Sequence, residues 1–547
     1  MKFGRALSII TVFLVVLACK KNGTPESGGG GSDDPQPQPS DIVPDKGITL
    51  YGLVSDTGGN PIEGVVVSDG ITCVKTDTRG VYQIIRDKSS KFVFISTPSG
   101  YECMSQKDFG NMPFSYQASK SLTGSVSSIY RADFTLKKRS VSDSHFKLVA
   151  IGDPQPDYDS DVERFRNESV PDINKELKQY AGVPAVAVGL GDIIGKDENH
   201  SGKRLTKMKK ALGELSIPVY CVNGNHDKDK LSVDGETFSN IMGPLNYSFN
   251  MGMVHFVMLD DLRFYGTGAG DYSYGFTKEQ YDWLKQDLSF VPKTWKIVVC
   301  YHAALYDNFT GYPYATEILN LIAQYKEPVL MAAHSHNYKY CMNKLGMREY
   351  ILSTVCGVFW RSNHACDGTP NGYYIFDFNG TEIKDMYFKA TDWDKSHQMR
   401  IYRATSTYFI KGGGTYSFSY DGLGENEIAI NVFSGGPDWT VNVYEDGVKT
   451  GTAEYWPNNY DRWICALFIH HCYGINMESD VSKNKHMFRY KLKNPSAKVT
   501  VEAADPYGNV FSETTFVESN DFSFAEPPYQ KGLQDSPDRP YTYFWWR

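Results

Sequence analysis

An α/β fold is predicted for this chain of 547 residues, with a layered α/β core between two β-rich modules. Between residues 143 and 390, buried strand-like runs alternate with helix-like stretches, as they do in layered α/β cores. Residues 47–140 contain short apolar runs separated by Gly, Asp and Asn turns, a pattern that suits a small antiparallel sandwich. In residues 391–547 helical periodicity fades, and strand-like runs alternate with Gly, Asn and Pro turns. Each region is therefore expected to be a separate domain.

The N-terminus has the charge and the length of an export signal. Lys2 and Arg5 precede an apolar stretch from Ala6 to Ala18, which is shorter than the roughly 20 residues that a membrane-spanning helix needs. The segment resembles a bacterial lipoprotein signal spanning residues 1–19, in which Cys19 is the lipidated residue. A signal cut elsewhere, with an incidental cysteine, is the alternative. The resemblance implies an exported lipoprotein, anchored in a membrane on its periplasmic or outer-membrane face.

A flexible linker is predicted for residues 20–46, because Gly, Ser, Pro and Gln dominate them and cannot bury enough apolar surface to order the chain. Beyond the linker, Gly64–Ser68 and Phe92–Ile95 are predicted strands of the first β module. The order of turns in this module resembles the carboxypeptidase-regulatory-like sandwiches of exported bacterial proteins. We interpret it as a spacer or docking module.

Charge and cysteine content limit the function classes. A net charge of -8 does not favour a surface for long nucleic acid, since neutralising phosphates requires clustered Lys and Arg. Nine cysteines remain after Cys19, an odd number, so not all of them can pair within the chain. Possible pairs are Cys73 with Cys103 and Cys465 with Cys472. The remaining strand-like cysteines are interpreted as small buried hydrophobes, namely Cys221, Cys300 and Cys341.

The core region is predicted to contain a series of strands, each followed by polar residues that can carry chemistry. The predicted strands are Phe146–Gly152, Ala185–Leu190, Val219–Val222, Val254–Leu259, Lys296–Cys300 and Val329–Ala332. Helices are predicted over Asp159–Tyr180 and Arg204–Leu215. Open α/β sheets bind ligands beyond the carboxyl ends of their strands, so we expect the site there.

Five short segments after these strands contribute Asp, Asn, Gln or His. They are Gly152-Asp153-Pro154-Gln155, Gly191-Asp192, Gly224-Asn225-His226-Asp227, Tyr301-His302 and Ala333-His334-Ser335-His336. Any one of them alone would be interpreted as a turn or a structural histidine. Together, in this order, they resemble the calcineurin-like metallophosphoesterase pattern, and the two β modules resemble those attached to such enzymes in exported Bacteroidetes-like proteins.

This resemblance implies an αββα sandwich core and a site for two divalent cations, with Mn, Fe and Zn all compatible with oxygen and imidazole ligands. Asp192 would bridge the two metals. One metal would add Asp153, Gln155 and His336, and the other would add Asn225, His302 and His334. A water between the metals would attack the phosphorus, and His226 would protonate the leaving oxygen with Asp227 as its orienting partner.

Three departures from the family pattern bear on this interpretation. Gln155 stands where most relatives have a histidine ligand, a change that marks an Asp-Pro-Gln subgroup and leaves open whether Gln155 contacts metal directly or through water. Gly195 stands where purple acid phosphatases have the tyrosine that binds ferric iron, which argues against that subclass. Ala333 replaces a glycine without removing a ligand.

Substrate contacts are expected from the loop after the last metal motif. Arg361 could bind a phosphate or carboxylate in a bidentate contact, or it could form a surface salt bridge. Trp360 could stack on a base or sugar, or it could pack in the core. Asn371 and His364 are the other candidates in this loop.

The sequence therefore predicts hydrolysis of a phosphate mono- or diester of small size. The alternative is a metal-depleted, non-catalytic lipoprotein that holds an envelope glycan or another partner. Only Gln155 favours this alternative, since a decayed enzyme should have lost several ligands.

Overall fold

The N-terminal module is a sandwich of two sheets. The structure, a computed structural model, describes residues 42–118, 129–195, 201–228, 235–266, 271–360, 362–409, 415–419, 423–465 and 482–517. The first strands are β1 (Leu50–Asp56), β2 (Val66–Ser68), β3 (Cys73–Lys75), β4 (Val81–Ile84), β5 (Phe92–Ser96), β6 (Tyr101–Cys103), β7 (Tyr116–Ala118), β8 (Tyr130–Arg131) and β9 (Phe134–Lys138). One sheet has the order β4-β1-β9-β6 with β8 also paired to β1, and the other has the order β3-β2-β5-β7.

The central region contains two larger sheets and the helices α1 to α6. Its elements are β10 (His145–Ile151), α1 (Asp159–Arg164), α2 (Val170–Leu177), β11 (Ala185–Leu190), α3 (Lys203–Gly213), β12 (Val219–Val222), α4 (Glu236–Met242), β13 (Tyr247–Met251), β14 (Val254–Met258), β15 (Leu262–Phe264), β16 (Tyr272–Tyr274), α5 (Lys278–Ser289), β17 (Lys296–Cys300), α6 (Ala315–Ile322), β18 (Val329–Ala332), β19 (Lys339–Met342), β20 (Arg348–Ile351), β21 (Gly372–Asn379) and β22 (Glu382–Ala390). The first sheet has the order β12-β11-β10-β21-β22, and the second has the order β13-β14-β17-β18-β20-β19. The β15 and β16 strands form a separate hairpin.

Alternation of apolar residues along β10 shows how the layers form. Phe146, Leu148 and Ala150 face the second sheet, whereas Val149 and Ile151 pack under the helices α1 to α3. Successive side chains of a strand point to opposite faces, so an apolar run is buried on both sides. The second sheet packs its own outer face against α5 and α6. These four layers confirm the predicted αββα sandwich.

The helical stretch predicted over Asp159–Tyr180 is not one regular α-helix. A π-helical turn (Phe165–Ser169) separates α1 from α2, and a 3-10 turn (Lys178–Tyr180) follows. Pro171 lacks an N–H and its ring would crowd the carbonyl one turn earlier, and a widened turn relieves such crowding. No helix within the described ranges is long and apolar enough to cross a membrane.

The C-terminal module is again β-rich, as predicted. Its strands are β23 (Met399–Arg403), β24 (Thr405–Phe409), β25 (Thr415–Ser419), β26 (Glu427–Val432), β27 (Thr440–Glu445), β28 (Val448–Thr452), β29 (Glu454–Tyr455), β30 (Met487–Lys491), β31 (Val499–Ala504) and β32 (Val510–Glu513). Two four-stranded sheets, β23-β26-β30-β29 and β28-β27-β31-β32, enclose an apolar core. The β24 and β25 strands form a hairpin.

Cysteine pairing differs from one of the possibilities raised by the sequence. Cys73 and Cys103 are both free, and Cys465 is free and buried. Cys73 is buried against the core helix α5 rather than facing Cys103 across its own module, which is why the two cannot pair. Cys472 lies outside the described residues. Cys221 and Cys300 are buried strand residues, as interpreted, whereas Cys341 is half-buried.

Candidate metal centre

The carboxyl ends of the central strands bring the predicted ligands together. Asp153 and Gln155 follow β10, Asp192 follows β11, and Asn225 follows β12. From the second sheet, His302 follows β17, while His334 and His336 follow β18. The neighbouring strands within each sheet run parallel here, so their carboxyl ends lie at one edge of the sandwich.

Two groups of side chains are close enough to hold cations, and they share one carboxylate. In the first group, ligand atoms of Asp153, Asp192 and His336 all lie within 4.8 Å of one another. In the second group, Asp192, His302 and His334 meet the same limit. Asp192 thus lies between two potential cation positions, as the motif order predicts.

Distances within the second group define which atoms converge. His302 Nε2 lies 3.3 Å from Asp192 Oδ2, 3.2 Å from Asn225 Oδ1 and 3.0 Å from His334 Nδ1. Two carboxyl or amide oxygens and two imidazole nitrogens therefore face one point, and this donor set suits a divalent transition metal. The convergence adds Asn225 to the three residues of the group.

Two buried oxygens at the first group and beside it have no hydrogen-bond donor in the part of the chain that the structure describes. Asp153 Oδ1 and Gln155 Oε1 are buried and have no hydrogen-bond partner among the described residues. His336 Nε2 lies 3.5 Å from Asp153 Oδ1, and Gln155 Nε2 donates to Asp192 Oδ2 at 3.2 Å. Unsatisfied buried acceptors are costly unless a cation balances them. The residues present therefore fit a metal ion.

Neighbouring charges shift the ionisation of the second group. Burial alone would lower the pKa of His302, but the Asp192 carboxylate outweighs it and holds that pKa well above its usual range. Burial, with the charge of His302, lowers the pKa of His334 to about 4. Because a ligand nitrogen must be unprotonated, a cation that binds here has to displace the His302 proton.

Two glycines of the motifs are needed for close packing at the site. A Cβ on Gly191 would lie 2.4 Å from His302 Nδ1, and a Cβ on Gly224 would lie 2.1 Å from Asp192 Oδ1. Real Cβ atoms do not approach other atoms so closely, so any side chain there would displace a ligand. The Gly-Asp and Gly-Asn-His-Asp motifs thus allow the loops to converge.

The orienting partner expected for His226 is corrected by the structure. Asp227 is buried, and its carboxylate accepts backbone N–H donors from Ile193, Ile194 and Gly224 at 3.0, 2.9 and 2.7 Å. The His226 ring is exposed and places Nδ1 3.0 Å from the Gly195 carbonyl oxygen. Asp227 therefore connects the loops that carry Asp192 and Asn225. The group beside the His226 ring is the Gly195 carbonyl and not the Asp227 carboxylate.

Gly195 also shows why a tyrosine is not accommodated at its position. A Cβ there would lie 2.3 Å from Asp157 Oδ1 and 3.1 Å from the Gln155 carbonyl oxygen. A larger residue would have to displace the Asp157 side chain and crowd the loop that carries Gln155. This packing agrees with the departure from purple acid phosphatases seen in the sequence.

Three of the predicted substrate residues are buried rather than exposed to a cavity. Trp360 has an exposed fraction of 0%, and its Nε1 donates to the Pro154 carbonyl at 2.6 Å, which holds the loop of the first ligand group. Asn371 donates to the Val355 carbonyl at 3.3 Å. His364 is buried against Trp463 of the C-terminal module. All three side chains are buried, so the structure does not present them to a substrate. Arg361 lies outside the described residues.

The structure adds three residues beside the ligands that sequence reasoning missed. Asp261 accepts the backbone N–H groups of His302 and Ala303 at 3.0 and 2.9 Å. Its place directly after the β14 region was a signal, because the other site residues follow strands in the same way. Phe359 packs on the His336 ring at 4.9 Å, and the Tyr274 hydroxyl lies 3.3 Å from His334 Nε2. Tyr274 has no local sequence signal, whereas Phe359 adjoins Trp360 in the loop after the last metal motif.

Comparison with protein families gives three consecutive matches. The model described as the N terminal of Calcineurin-like phosphoesterase matches residues 48–139. The Calcineurin-like phosphoesterase model matches residues 142–338, and the C terminal of Calcineurin-like phosphoesterase matches residues 349–511. The middle match contains all five motif segments.

Individual relatives match over shorter lengths. Purple acid phosphatases 15 and 23 of Arabidopsis thaliana are each 30% identical over 144 and 145 residues, which is 22% of this chain. The chain thus matches about a quarter of the length of these curated relatives, 25% and 29% respectively. Among solved structures, a dimetal phosphatase from Danio rerio has a TM-score of 0.33 and 18% identity, covering 45% of this chain and 96% of its own. A purple acid phosphatase from yellow lupin seeds has a TM-score of 0.28 and 12% identity, covering 68% and 66%.

Proposed function

The chain belongs to the calcineurin-like phosphoesterases, a family of phosphate-ester hydrolases, and from this premise we propose that it hydrolyses small phosphate mono- or diesters with two divalent cations. The observation that carries the proposal is the pair of ligand groups that share Asp192. A single cation site would need only one of these groups. The shared carboxylate suits a pair of ions about 3.5–4 Å apart, the spacing typical of two-metal hydrolases.

Two cations held there would neutralise the anionic ester and acidify a water molecule between them. The protein's own part would be to hold the two cations and to move one proton. The second cation would be held by Asp192, Asn225, His302 and His334. The first would be held by Asp153 and His336, together with the shared Asp192. His226 is the general acid in this proposal, since its Nδ1 faces the Gly195 carbonyl and Nε2 is the nitrogen left to protonate a leaving oxygen.

Gln155 is proposed as a direct ligand of the first cation. Its Oε1 is buried and has no hydrogen-bond donor among the described residues, which supports a role as an acceptor for a positive charge. A neutral amide oxygen is a weaker donor than the imidazole found in most relatives. The first site is therefore expected to be the weaker of the two.

The first test is metal content together with activity. Purified protein should bind about two equivalents of Mn²⁺, Fe²⁺ or Zn²⁺ and should cleave bis-p-nitrophenyl phosphate or p-nitrophenyl phosphate. Chelation should abolish the cleavage, and added Mn²⁺ should restore it. A chain that keeps no metal and cleaves neither ester would favour the non-catalytic envelope-binding role instead.

His226→Ala tests the general acid. With phenyl phosphate, whose leaving oxygen needs a proton, kcat should fall by about 10²–10⁴-fold while the metal content stays the same. With p-nitrophenyl phosphate the loss should be much smaller, because the nitrophenolate leaves as a stable anion. His145→Ala is the matched control, since His145 is half-exposed and lies at the opposite end of β10. Equal losses on both esters would remove His226 from this role.

We further propose that the protein is exported and lipid-anchored through Cys19. The proposal is supported by the charged start, the short apolar stretch and the position of Cys19, all of which lie outside the described residues. Cys19→Ser in the full-length chain should abolish incorporation of radiolabelled palmitate and release the protein from the membrane fraction. Labelling that persists in this variant would contradict the assignment.

A further inference from the structure

The second ligand group contains two histidines, His302 and His334. In each, one ring nitrogen faces the other members of the group and the second ring nitrogen faces away from them. His302 directs Nε2 to the group, and its Nδ1 lies 2.7 Å from the Leu190 carbonyl oxygen. His334 is turned the other way: Nδ1 faces the group, and Nε2 lies 3.3 Å from the Tyr274 hydroxyl. The Tyr274 oxygen thus takes the place for His334 that a main-chain carbonyl takes for His302.

The contact at the outer nitrogen decides which tautomer a neutral imidazole adopts. A ring that offers its Nδ1 lone pair to a cation must carry its proton on Nε2, and an oxygen that accepts this proton favours that form. Such partners also fix the rotation of the ring. The partner of His302 is the main-chain carbonyl of Leu190, which any residue at that position would supply. The oxygen beside His334 depends instead on the side chain of residue 274.

The same segment supports both histidines. Asp261 precedes β15 and accepts the backbone N–H groups of His302 and Ala303. Tyr274 ends β16, which pairs with β15 through Leu262 and Tyr274, and the next residue, Gly275, donates its N–H to the Asp261 carbonyl at 2.9 Å. The hairpin therefore connects the loop behind His302 with the hydroxyl beside His334.

Aromatic packing holds the Tyr274 ring independently of its hydroxyl. Its centroid lies 5.6 Å from that of Tyr312, 5.7 Å from that of Tyr272 and 6.0 Å from that of His334, all in edge-on arrangements. Such contacts depend on the ring and not on the oxygen. A phenylalanine at this position should keep the packing and lose only the hydroxyl.

We propose that Tyr274 is a positioning residue for the metal ligand His334: its hydroxyl oxygen accepts a hydrogen bond from Nε2–H and so presents Nδ1 to the second cation. The inference rests on the proposed two-metal function and adds a residue to it. No atom of Tyr274 needs to contact the cation, because its effect passes through the imidazole.

The test is a metal titration of Tyr274→Phe beside the wild-type full-length protein, followed calorimetrically with Mn²⁺ or Zn²⁺. One of the two equivalents should bind about 10–100-fold more weakly, the range typical for loss of a partner behind a histidine ligand. The melting temperature of the metal-free protein should not change. Tyr312→Phe is the matched control, since it removes a hydroxyl from the same aromatic cluster and should leave both affinities unchanged.

A measurement on the wild type keeps the inference testable if the variant does not fold. Long-range ¹H–¹⁵N spectra of the histidine rings in metal-free protein should show His334 protonated at Nε2, and protonation at Nδ1 would overturn the inference. A wild type that binds two cations while Tyr274→Phe binds both equally well would overturn this inference alone. A wild type that takes up no cation would instead overturn the proposed function.

Discussion

At the scale of single residues, five of the candidate ligands adopt an uncommon backbone conformation. Asp153, Gln155, Asp192, His334 and His336 all have positive φ, between 40 and 60°. Side chains other than glycine reach this left-handed region at a cost on the order of 1–3 kcal/mol each, and they stay there only where the surrounding structure holds them. Such strain is typical of functional loops, and here it occurs at the residues that converge on Asp192.

Gln155→Glu tests whether this side chain is a direct ligand. A further carboxylate beside Asp192 and Asp153 should destabilise the metal-free protein by about 1–2 kcal/mol through like-charge repulsion, and it should tighten cation binding because the donor is charged. Melting temperatures with and without metal should therefore differ more than in the wild type. In Gln155→Ala, the melting temperatures with and without metal should differ less than in the wild type. Unchanged melting of both variants would mean that Gln155 contacts no cation.

Asp227→Ala distinguishes a loop connection from an orienting role. The substitution leaves three buried backbone N–H groups without their acceptor, at a cost of about 1–3 kcal/mol each, so thermal stability and metal affinity should both fall. Asp227→Asn keeps one acceptor oxygen and should lose less. Stability is measured by urea unfolding. A variant with wild-type stability and a lower kcat would restore the orienting role.

At the scale of elements, α3 contacts the N-terminal module through a buried amine. Lys209 has an exposed fraction of 2%, and its Nζ donates to the Ile241 carbonyl at 2.5 Å and to the Tyr116 hydroxyl at 3.1 Å. The amine also lies 4.4 Å above the centre of the Phe109 ring. Burial lowers the pKa of Lys209 to about 8. The contact should therefore depend on pH.

Lys209→Met measures that dependence. Between pH 8 and 10.5 the unfolded chain keeps the lysine proton while the folded protein has lost it, so wild-type stability should rise with pH relative to the variant. The relative gain is at most about 3 kcal/mol. It is lost again as the pH falls through 8. Urea unfolding at several pH values gives the difference, and exposed Lys210→Met is the control. A difference that does not vary with pH would contradict the prediction.

At the scale of the whole molecule, β5 connects the N-terminal module to the central sandwich. Phe92 and Phe94 pack with Trp283 of α5, while Val93 and Ile95 fill the core of the module itself. Trp283 Nε1 also donates to Ser68 Oγ at 3.1 Å. One strand thus contributes to two hydrophobic cores because its side chains alternate between its faces. We expect the two regions to unfold together.

Phe94→Ala tests this coupling by calorimetry. Removing the ring should cost about 3–5 kcal/mol at the interface and should split the single unfolding transition of the wild type into two. Val93→Ala is the matched control on the opposite face of the strand. The cavity left by Val93→Ala lies within the N-terminal module. This variant should therefore lower the unfolding temperature without splitting the transition. Two separate transitions in the wild type would contradict the coupling.

Local sequence was sufficient for the strands and for the candidate metal ligands that the structure brings together around Asp192. Four predicted strands of the core, among them Lys296–Cys300 and Val329–Ala332, have the observed bounds, because buried parallel strands are apolar on both faces and end at polar residues. The motif residues follow these strands, so their convergence could be predicted from strand order. The π-helical turn after α1 could not, since periodicity does not resolve a single widened turn.

What the sequence by itself determined is therefore the layered core, the two β modules and the set of side chains beside Asp192. Only the tertiary structure decided the contacts made across the chain: Asp227 to the Ile193 and Ile194 backbone, Trp360 beneath Pro154, and Tyr274 beside His334. The physical reason is range. Strand periodicity and motif spacing depend on neighbouring residues, whereas these contacts join segments from 33 to 206 residues apart and depend on how the two sheets pack.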